Sequence, residues 1–250
     1  MAVALVTGAS SGLGAEFARQ LAARGADLVL VARDGAALER VAGDIRARSG
    51  VDVHVLAADL LDDGALAAVE KRLAAGVDVL VNNAGFGLDL AFEENDVAVE
   101  VRHLRLHVEA AMRLMHAALP AMLERGSGRI VNVASVAGFV PRGTYGAVKG
   151  WLISFSRWAN VVYRPRGVTV TAVCPGFVHT SFHERLGLPP GHEGVPAGMW
   201  LDADKVVREG LRDAARGRSV SVPSWRYTAL VAASRLLPDA VVVRAASRGR

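Results

Sequence analysis

The chain has 250 residues, 52% of them hydrophobic and 22% charged, a balance that provides a large core and excludes a disordered chain. Its one cysteine, Cys174, excludes a disulfide framework and fits a reducing cytoplasm. Residues 224–250 hold five arginines against Asp239 and so carry the whole formal charge of +4, a basic tip that lacks the cationic stripe and base-reading groups of a nucleic-acid surface.

Ala2-Val-Ala-Leu-Val6 is a short apolar run ending in Thr7-Gly8, the pattern of a fully buried strand. Gly8-Ala-Ser-Ser-Gly12-Leu-Gly14 follows and opens an amphipathic helix marked by Phe17, Leu21 and Ala22. Strand, glycine turn and helix form the setting in which N–H groups at a helix N-terminus face a pyrophosphate. The glycines let backbone approach ligand and let helix pack closely on strand. The spacing is G-x-x-x-G-x-G, and no Gly-Lys-Ser/Thr suited to a nucleoside triphosphate is present. Leu28-Val-Leu-Val31 reads as the second strand, followed by Ala32-Arg33-Asp34. Dinucleotide-binding folds commonly end this strand with an acid that grips the ribose 2′-hydroxyl. Here Ala32 stands in that place and Arg33 follows, which suits a 2′-phosphate and reads as a preference for NADP(H) over NAD(H).

The alternation continues with a helix over 34–48, strand Val51–Leu56, Asp59-Leu60, a helix over 62–75 and strand Val77–Val81, which leads into Asn82-Asn83-Ala84-Gly85. This order predicts an α/β fold of Rossmann type, a doubly wound parallel sheet with helices on both faces and ligands at the C-terminal strand ends. Asp59, Asn82 and Asn83 fall at such ends, where polar side chains bond an adenine edge or fix the loops that line a cofactor. A long helix is predicted over 96–124, then strand Arg129–Ala134 with Ser135 at its end. Loop 136–143, a helix from about Thr144 to Tyr163, and strand Val168–Val173 with Cys174-Pro175-Gly176 complete the pattern. No repeat, low-complexity tract or domain boundary interrupts it, so residues 1–250 read as one domain.

Tyr145 and Lys149 are one helical turn apart, which places phenol and ammonium on the same face. An ammonium held there favours the phenolate and prepares the tyrosine to pass a proton at neutral pH. The chain has three Tyr and three Lys against 26 Arg, and random placement would produce only about 0.04 such pairs. A lysine in so arginine-rich a chain invites a functional reading, because arginine cannot lose its proton.

Taken together, Thr7-Gly-Ala-Ser-Ser-Gly-Leu-Gly14, Asp59-Leu60, Asn82-Asn-Ala-Gly85, Ser135, Tyr145-x-x-x-Lys149 and Pro175-Gly176 through Thr180 resemble the classical short-chain dehydrogenases/reductases over nearly the whole chain. Asn-Asn-Ala-Gly-Phe-Gly87 and the Arg-bearing apolar tail are most similar to a subgroup of hydroxysteroid-dehydrogenase-like bacterial reductases. The resemblance implies hydride transfer between NADP(H) and a small-molecule carbonyl or alcohol, with Tyr145 as general acid and Ser135 on the substrate oxygen. Lys149 would tune Tyr145 and bind the nicotinamide ribose. Gly8, Ser10, Ser11, Gly12, Leu13 and Gly14, with Arg33, Asp59, Leu60 and Asn82–Gly85, would hold the cofactor. Pro175, Gly176, Val178 and Thr180 would hold its carboxamide end. Residues 181–204, rich in Gly and Pro, would form a substrate lid. Subunits would pair through helices 96–124 and 144–163 into a homodimer or homotetramer.

Two departures from the family pattern stand out. The helix asparagine that usually supports a proton-relaying water falls on His107, whose imidazole can preserve or block that relay. Ser135 and Tyr145 are ten positions apart, where the family has about thirteen, which trims one wall of the substrate cleft. These departures keep open a dinucleotide-binding protein with little redox activity, and an epimerase or dehydratase on the same scaffold. His103 and His107, like His179 and His183, are four apart, but no His-Glu-x-x-His or third ligand accompanies them, so no metal is expected. The tail 224–250 has apolar stretches Ala229–Ala233 and Ala240–Val243 with a break at Pro238; packing over the substrate cleft or against another subunit is favoured over a membrane surface. No run of eighteen apolar residues and no cationic leader with a cleavage site is present, so a cytoplasmic protein is expected.

Overall fold

The computed structural model describes residues 2–88, 91–180 and 196–247. Short runs of Val, Ile, Leu and Ala form strands β1 (Val3–Thr7), β2 (Asp27–Ala32), β3 (Val53–Ala57), β4 (Val79–Asn82), β5 (Gly128–Val133) and β6 (Val168–Val173). With β7 (Val220–Ser221) they make one parallel sheet in the order β3-β2-β1-β4-β5-β6-β7. Such strands are apolar on both sides because helices cover both faces.

One face is covered by α1 (Gly12–Ala22), α2 (Gly35–Arg48) and α7 (Ala203–Ala215), which contribute Phe17, Leu38 and Leu211 to its core. The other is covered by α3 (Asp63–Ala74), α5 (Ala111–Arg125) and α6 (Gly143–Tyr163), through Leu66, Met122 and Ala159. α4 (Val97–Leu104) precedes α5, and the chain ends in α8 (Trp225–Ser234) and α9 (Asp239–Ser247), separated at Pro238 as the tail pattern implied. No helix among the described residues is long and apolar enough to cross a membrane. The strand order reverses between β1 and β4, whose C-terminal ends lead their connections to opposite faces. That divergence leaves a crevice at the carboxyl edge of the sheet.

Three features differ from the predicted elements. The helix expected over 96–124 is split into α4 and α5 by a π-helical turn, Arg105–Ala110, which accommodates one extra residue and carries His107. α7 and β7 were not predicted; α7 turns a stripe of Val206, Val207, Leu211 and Ala214 into the core. Of the expected lid, residues 181–195 lie outside the described residues. Residues 196–204 include a short 3₁₀ turn at Ala197–Met199 and Leu201, which is paired in parallel with Val178, before α7 begins.

Candidate active site

The crevice is held open by polar ties between the two strand ends. Thr7 Oγ1 accepts hydrogen bonds from the backbone N–H groups of Asn83 and Ala84, each at 3.0 Å. The Asn83 amide donates to the carbonyls of Thr7 at 3.0 Å and Gly8 at 3.2 Å. Gly8 and Gly12 take left-handed conformations, φ +63° and +55°, which favour glycine. A Cβ at Gly14 would stand 2.2 Å from the Gly8 carbonyl oxygen, so this glycine is fixed by backbone contact. Asp34 and Asp62 cap α2 and α3 through Ala37 and Ala65, whereas Ser11 makes no side-chain cap on α1 and no acid lies in its first turn. The leading N–H groups of α1 and the positive end of its dipole are thus suited to an anion.

A cavity of about 980 Å³ occupies the crevice. It is lined on the β2 side by Arg33 and on the β5–α6 side by Ser135, Tyr145 and Lys149. The structure brings all the predicted site residues to its walls except Gly14 and Asn82. Gly14 packs beneath the turn, as described. Asn82 is buried in the core instead, where its amide donates to Asn132 Oδ1 at 3.0 Å and to the Ala111 carbonyl at 3.4 Å. Asn132 in turn donates to Ser156 Oγ at 2.9 Å, so a polar chain joins β4, β5 and α6 below the cavity. His183, paired in sequence with His179, lies outside the described residues. Among the described residues no cluster of three or more His, Cys, Asp or Glu is arranged to hold a metal.

Lys149 is buried, and its ammonium donates to the Val133 carbonyl at the end of β5, 2.8 Å away. Nζ lies 5.6 Å from the centre of the Tyr145 ring, the same-face arrangement that their spacing implied. Burial pulls the Lys149 pKa down to about 7, so the group gives and takes a proton near neutrality. The nearby Cys174 thiol is buried too, as expected, and is pushed up by desolvation. Ser135 Oγ accepts from the Ala137 N–H at 3.1 Å and starts the 3₁₀ turn Val136–Phe139. That turn lies directly on α6: a Cβ at Gly138 would come within 2.6 Å of the Lys149 carbonyl carbon. The short interval from Ser135 to Tyr145 is accommodated by this close approach.

His107 is buried with its ring edge against Gly85, where a Cβ would stand 2.2 Å from Cε1. Its Nε2 is 3.1 Å from the Phe86 nitrogen and 2.8 Å from the Phe86 oxygen. Desolvation, then the charge of Lys149, holds its pKa well below the usual range, so the ring is neutral at pH 7.

Two residues of the site escaped the sequence reading. Arg40, on α2, lines the cavity with Arg33; an arginine seven positions on, about two helical turns, was a signal for it. Tyr227, from α8, accepts a hydrogen bond from the Phe177 N–H at 3.0 Å and donates to the Met199 carbonyl at 2.8 Å. Its ring fills the space above Gly176, where a Cβ would meet Cζ at 1.9 Å. It lies fifty residues beyond the loop it supports, and no local pattern announces it.

Known proteins resemble this chain in sequence and in fold. A family profile described as short chain dehydrogenase matches residues 2–189. The very-long-chain 3-oxoacyl-CoA reductase of Anas platyrhynchos is 32% identical over 190 residues, 71% of this chain and 60% of its own length. The chain thus aligns with less than two thirds of that relative. The 3-oxoacyl-acyl-carrier-protein reductase FabG of Aquifex aeolicus is 33% identical over 184 residues, covering 71% of this chain and 74% of its own. Among solved structures, a short-chain dehydrogenase from Sphingobium yanoikuyae in complex with NADPH superposes with a TM-score of 0.85 at 36% identity, covering 94% of both chains. The bulky-bulky ketone specific alcohol dehydrogenase from Comamonas testosteroni gives 0.80 at 32% identity, covering 94% of this chain and 92% of that one.

Two outcomes are expected. Tyr227→Phe keeps the ring but removes the hydroxyl shared by Phe177 and Met199, lowering stability by about 1–3 kcal/mol and raising the KM for a nicotinamide cofactor; an unchanged KM would assign Tyr227 to packing alone. For Lys149, the folded pKa of about 7 lies below the ordinary 10.5, so between these values the unfolded chain binds a proton that the folded chain does not. The parent therefore gains stability as pH rises through that window, and the Tm of Lys149→Met relative to the parent falls from pH 7 to pH 10. A Tm difference independent of pH would contradict the buried, readily neutralised lysine.

Proposed function

The chain belongs to the short-chain dehydrogenase/reductase family, and on that premise we propose that it is an NADP(H)-dependent oxidoreductase of ketones and secondary alcohols of apolar character. The observation that carries the reading is the placement of Ser135, Tyr145 and the buried Lys149 on one wall of a cavity whose other end is lined by two arginines. The residues fit a dinucleotide: the uncapped α1 terminus suits its phosphates, and the glycine turn leaves room for close backbone approach. When bound, the nicotinamide supplies or accepts the hydride.

The chain's own groups supply placement and the proton. Ser135 Oγ holds the substrate oxygen, and the Tyr145 hydroxyl delivers a proton to it in reduction or removes one in oxidation. Lys149, anchored on Val133, favours the phenolate and binds ribose hydroxyls. Thr180 and the backbone near Val178 hold the carboxamide. Arg33 and Arg40 favour a 2′-phosphate, and the nearest carboxylate, Asp34, is engaged in capping α2 at 2.9 Å. The NADPH complex of the Sphingobium relative supports this choice. Phe86, Leu106 and Phe177 on the cavity wall favour an apolar substrate, as does the bulky-ketone specificity named for the Comamonas relative. Exposed Val101, Leu104, Trp158 and Val161 on the α4 and α6 helices favour subunit pairing there.

The test is to mix the protein with NADPH and a panel of carbonyl compounds while following nicotinamide absorbance. Oxidation of NADPH is expected with apolar ketones, and Tyr145→Phe abolishes it while cofactor binding persists. Arg33→Ala raises the KM for NADPH about 10-fold or more, the size of one charge-assisted hydrogen bond, and leaves that for NADH little changed. Binding of NADPH without oxidation by any carbonyl would instead favour the redox-silent dinucleotide-binding reading.

A further inference from the structure

The helix α8 has two unlike sides. Tyr227 and Val231, one turn apart, are buried against the chain, where Tyr227 joins Phe177 to Met199. Trp225, Ala229 and Ala232 follow at helical spacing on the opposite side, and all three are exposed. The solvent side of a surface helix is ordinarily polar, whereas this stripe is wholly apolar. Trp225 is 76% exposed, and Leu236, in the turn between α8 and α9, is 87% exposed. Leu230, Leu237, Val241 and Val243 are exposed in the same tail. Apolar side chains exposed singly are ordinary, but this concentration marks a contact surface.

Charge of one sign accompanies it. The Arg226 guanidinium lies 5.9 Å from the centre of the Trp225 ring and donates to the Gly198 carbonyl. Arg235 lies 5.7 Å from the centre of the Phe139 ring, and Arg244 is exposed on α9. Among the described residues none of these three arginines pairs with a carboxylate. The apolar surface of α4 and α5 differs in this respect. There Leu104 and Met112 adjoin Arg105, paired with Asp63 and Glu109, and Arg113, paired with Glu70. Charges of both signs suit a protein partner. Two copies meeting at their tails about a twofold axis would bring arginine against arginine, whereas an anionic surface complements them.

We propose that α8 and the turn after it form a surface that seats on a lipid bilayer carrying anionic headgroups. Trp225 and Leu236 enter the boundary between headgroups and acyl chains, and Arg226, Arg235 and Arg244 engage the lipid phosphates. Tryptophan suits that depth, because its ring is apolar while its N–H seeks a polar partner. No helix among the described residues is long and apolar enough to cross a membrane, so the attachment is peripheral. α8 has ten residues, and a helix so short requires the apolar and the ionic contributions together. The tail's sequence favours packing over the cleft or on another subunit, and its inner side does pack on the chain. The outer side, apolar and bordered by unpaired cations, is what an anionic bilayer complements.

The test is co-sedimentation of the full chain with vesicles of phosphatidylcholine alone and of equal parts phosphatidylcholine and phosphatidylglycerol, and it requires no catalysis. Binding to the anionic vesicles is expected to exceed binding to the neutral ones about tenfold or more and to weaken as salt is raised. Equal binding to both, or none to either, would overturn the proposal. Arg235→Gln combined with Arg244→Gln is expected to weaken anionic-vesicle binding about tenfold or more, and Trp225→Ala combined with Leu236→Ala to do the same. Affinities equal to the parent's would overturn it. Should the variants not fold, the parent's preference between vesicles and its salt dependence decide. Brominated lipid is expected to quench the parent's fluorescence, and Trp225→Phe to remove that quenching; quenching lost in Trp158→Phe instead would move the contact to α6 and overturn the assignment. A concentration-dependent dimer in the absence of lipid that Trp225→Ala with Leu236→Ala dissociates would give the surface to a second copy of the chain, and that too would overturn it.

Discussion

A lysine ammonium taken out of water is the constraint on which the rest of the site depends. Lys149 is buried with the Val133 carbonyl as its hydrogen-bond acceptor, and among the described residues no carboxylate forms an ion pair with it. A buried charge without an ion-pair partner is costly, and it is relieved by loss of the proton. The fold therefore creates an amine poised between two states, one turn from a phenol and below the helix surface. For this the end of β5 must meet the first turns of α6 closely. Gly138 permits that contact, and the 3₁₀ turn begun by Ser135 supplies it within ten residues.

The remaining polar contacts of the site keep loops from moving relative to this point. Thr7 and Asn83 tie the turns after β1 and β4 across the reversal of strand order. Asn82, Asn132 and Ser156 lock β4, β5 and α6 together underneath. Tyr227 braces the backbone after β6 against the approach to α7. These hydrogen bonds between elements favour one arrangement of a core that apolar packing alone would leave less specific. The end of α1 differs, for Ser11 makes no side-chain cap there and its leading N–H groups are suited to an anion.

Much of this was legible in the chain. The first six strands announced themselves as apolar runs ended by turn residues, and their alternation with helices implied the parallel sheet. The glycine turn and the Tyr145–Lys149 pair were readable because their chemistry depends on local spacing. What was not legible depends on distance or on subtle geometry. β7 has two residues and no pattern of its own. α7 carried a clear apolar stripe, but the Gly- and Pro-rich segment before it drew its first residues into a loop reading. The π-helical turn adds one residue to a helix without changing its composition, so the inward rotation of His107 left no mark in the sequence. Asn82 shares its motif with Asn83 yet faces the core, because successive residues at a strand end point to opposite sides.

The family comparisons and the physical reading are independent of each other. A profile match over residues 2–189 states kinship. The structure adds what is particular to this chain: a buried amine whose pKa is drawn down toward neutrality, beside a tyrosine ring and on the wall of a cavity of about 980 Å³. The measurement that bears on this most directly is the titration of Lys149 in the cofactor-free protein, followed by carbon NMR of its labelled ε-methylene, with Lys71 and Lys205 as internal references. The account predicts a midpoint near pH 7 for Lys149; a midpoint near the ordinary lysine value of 10.5 would contradict it.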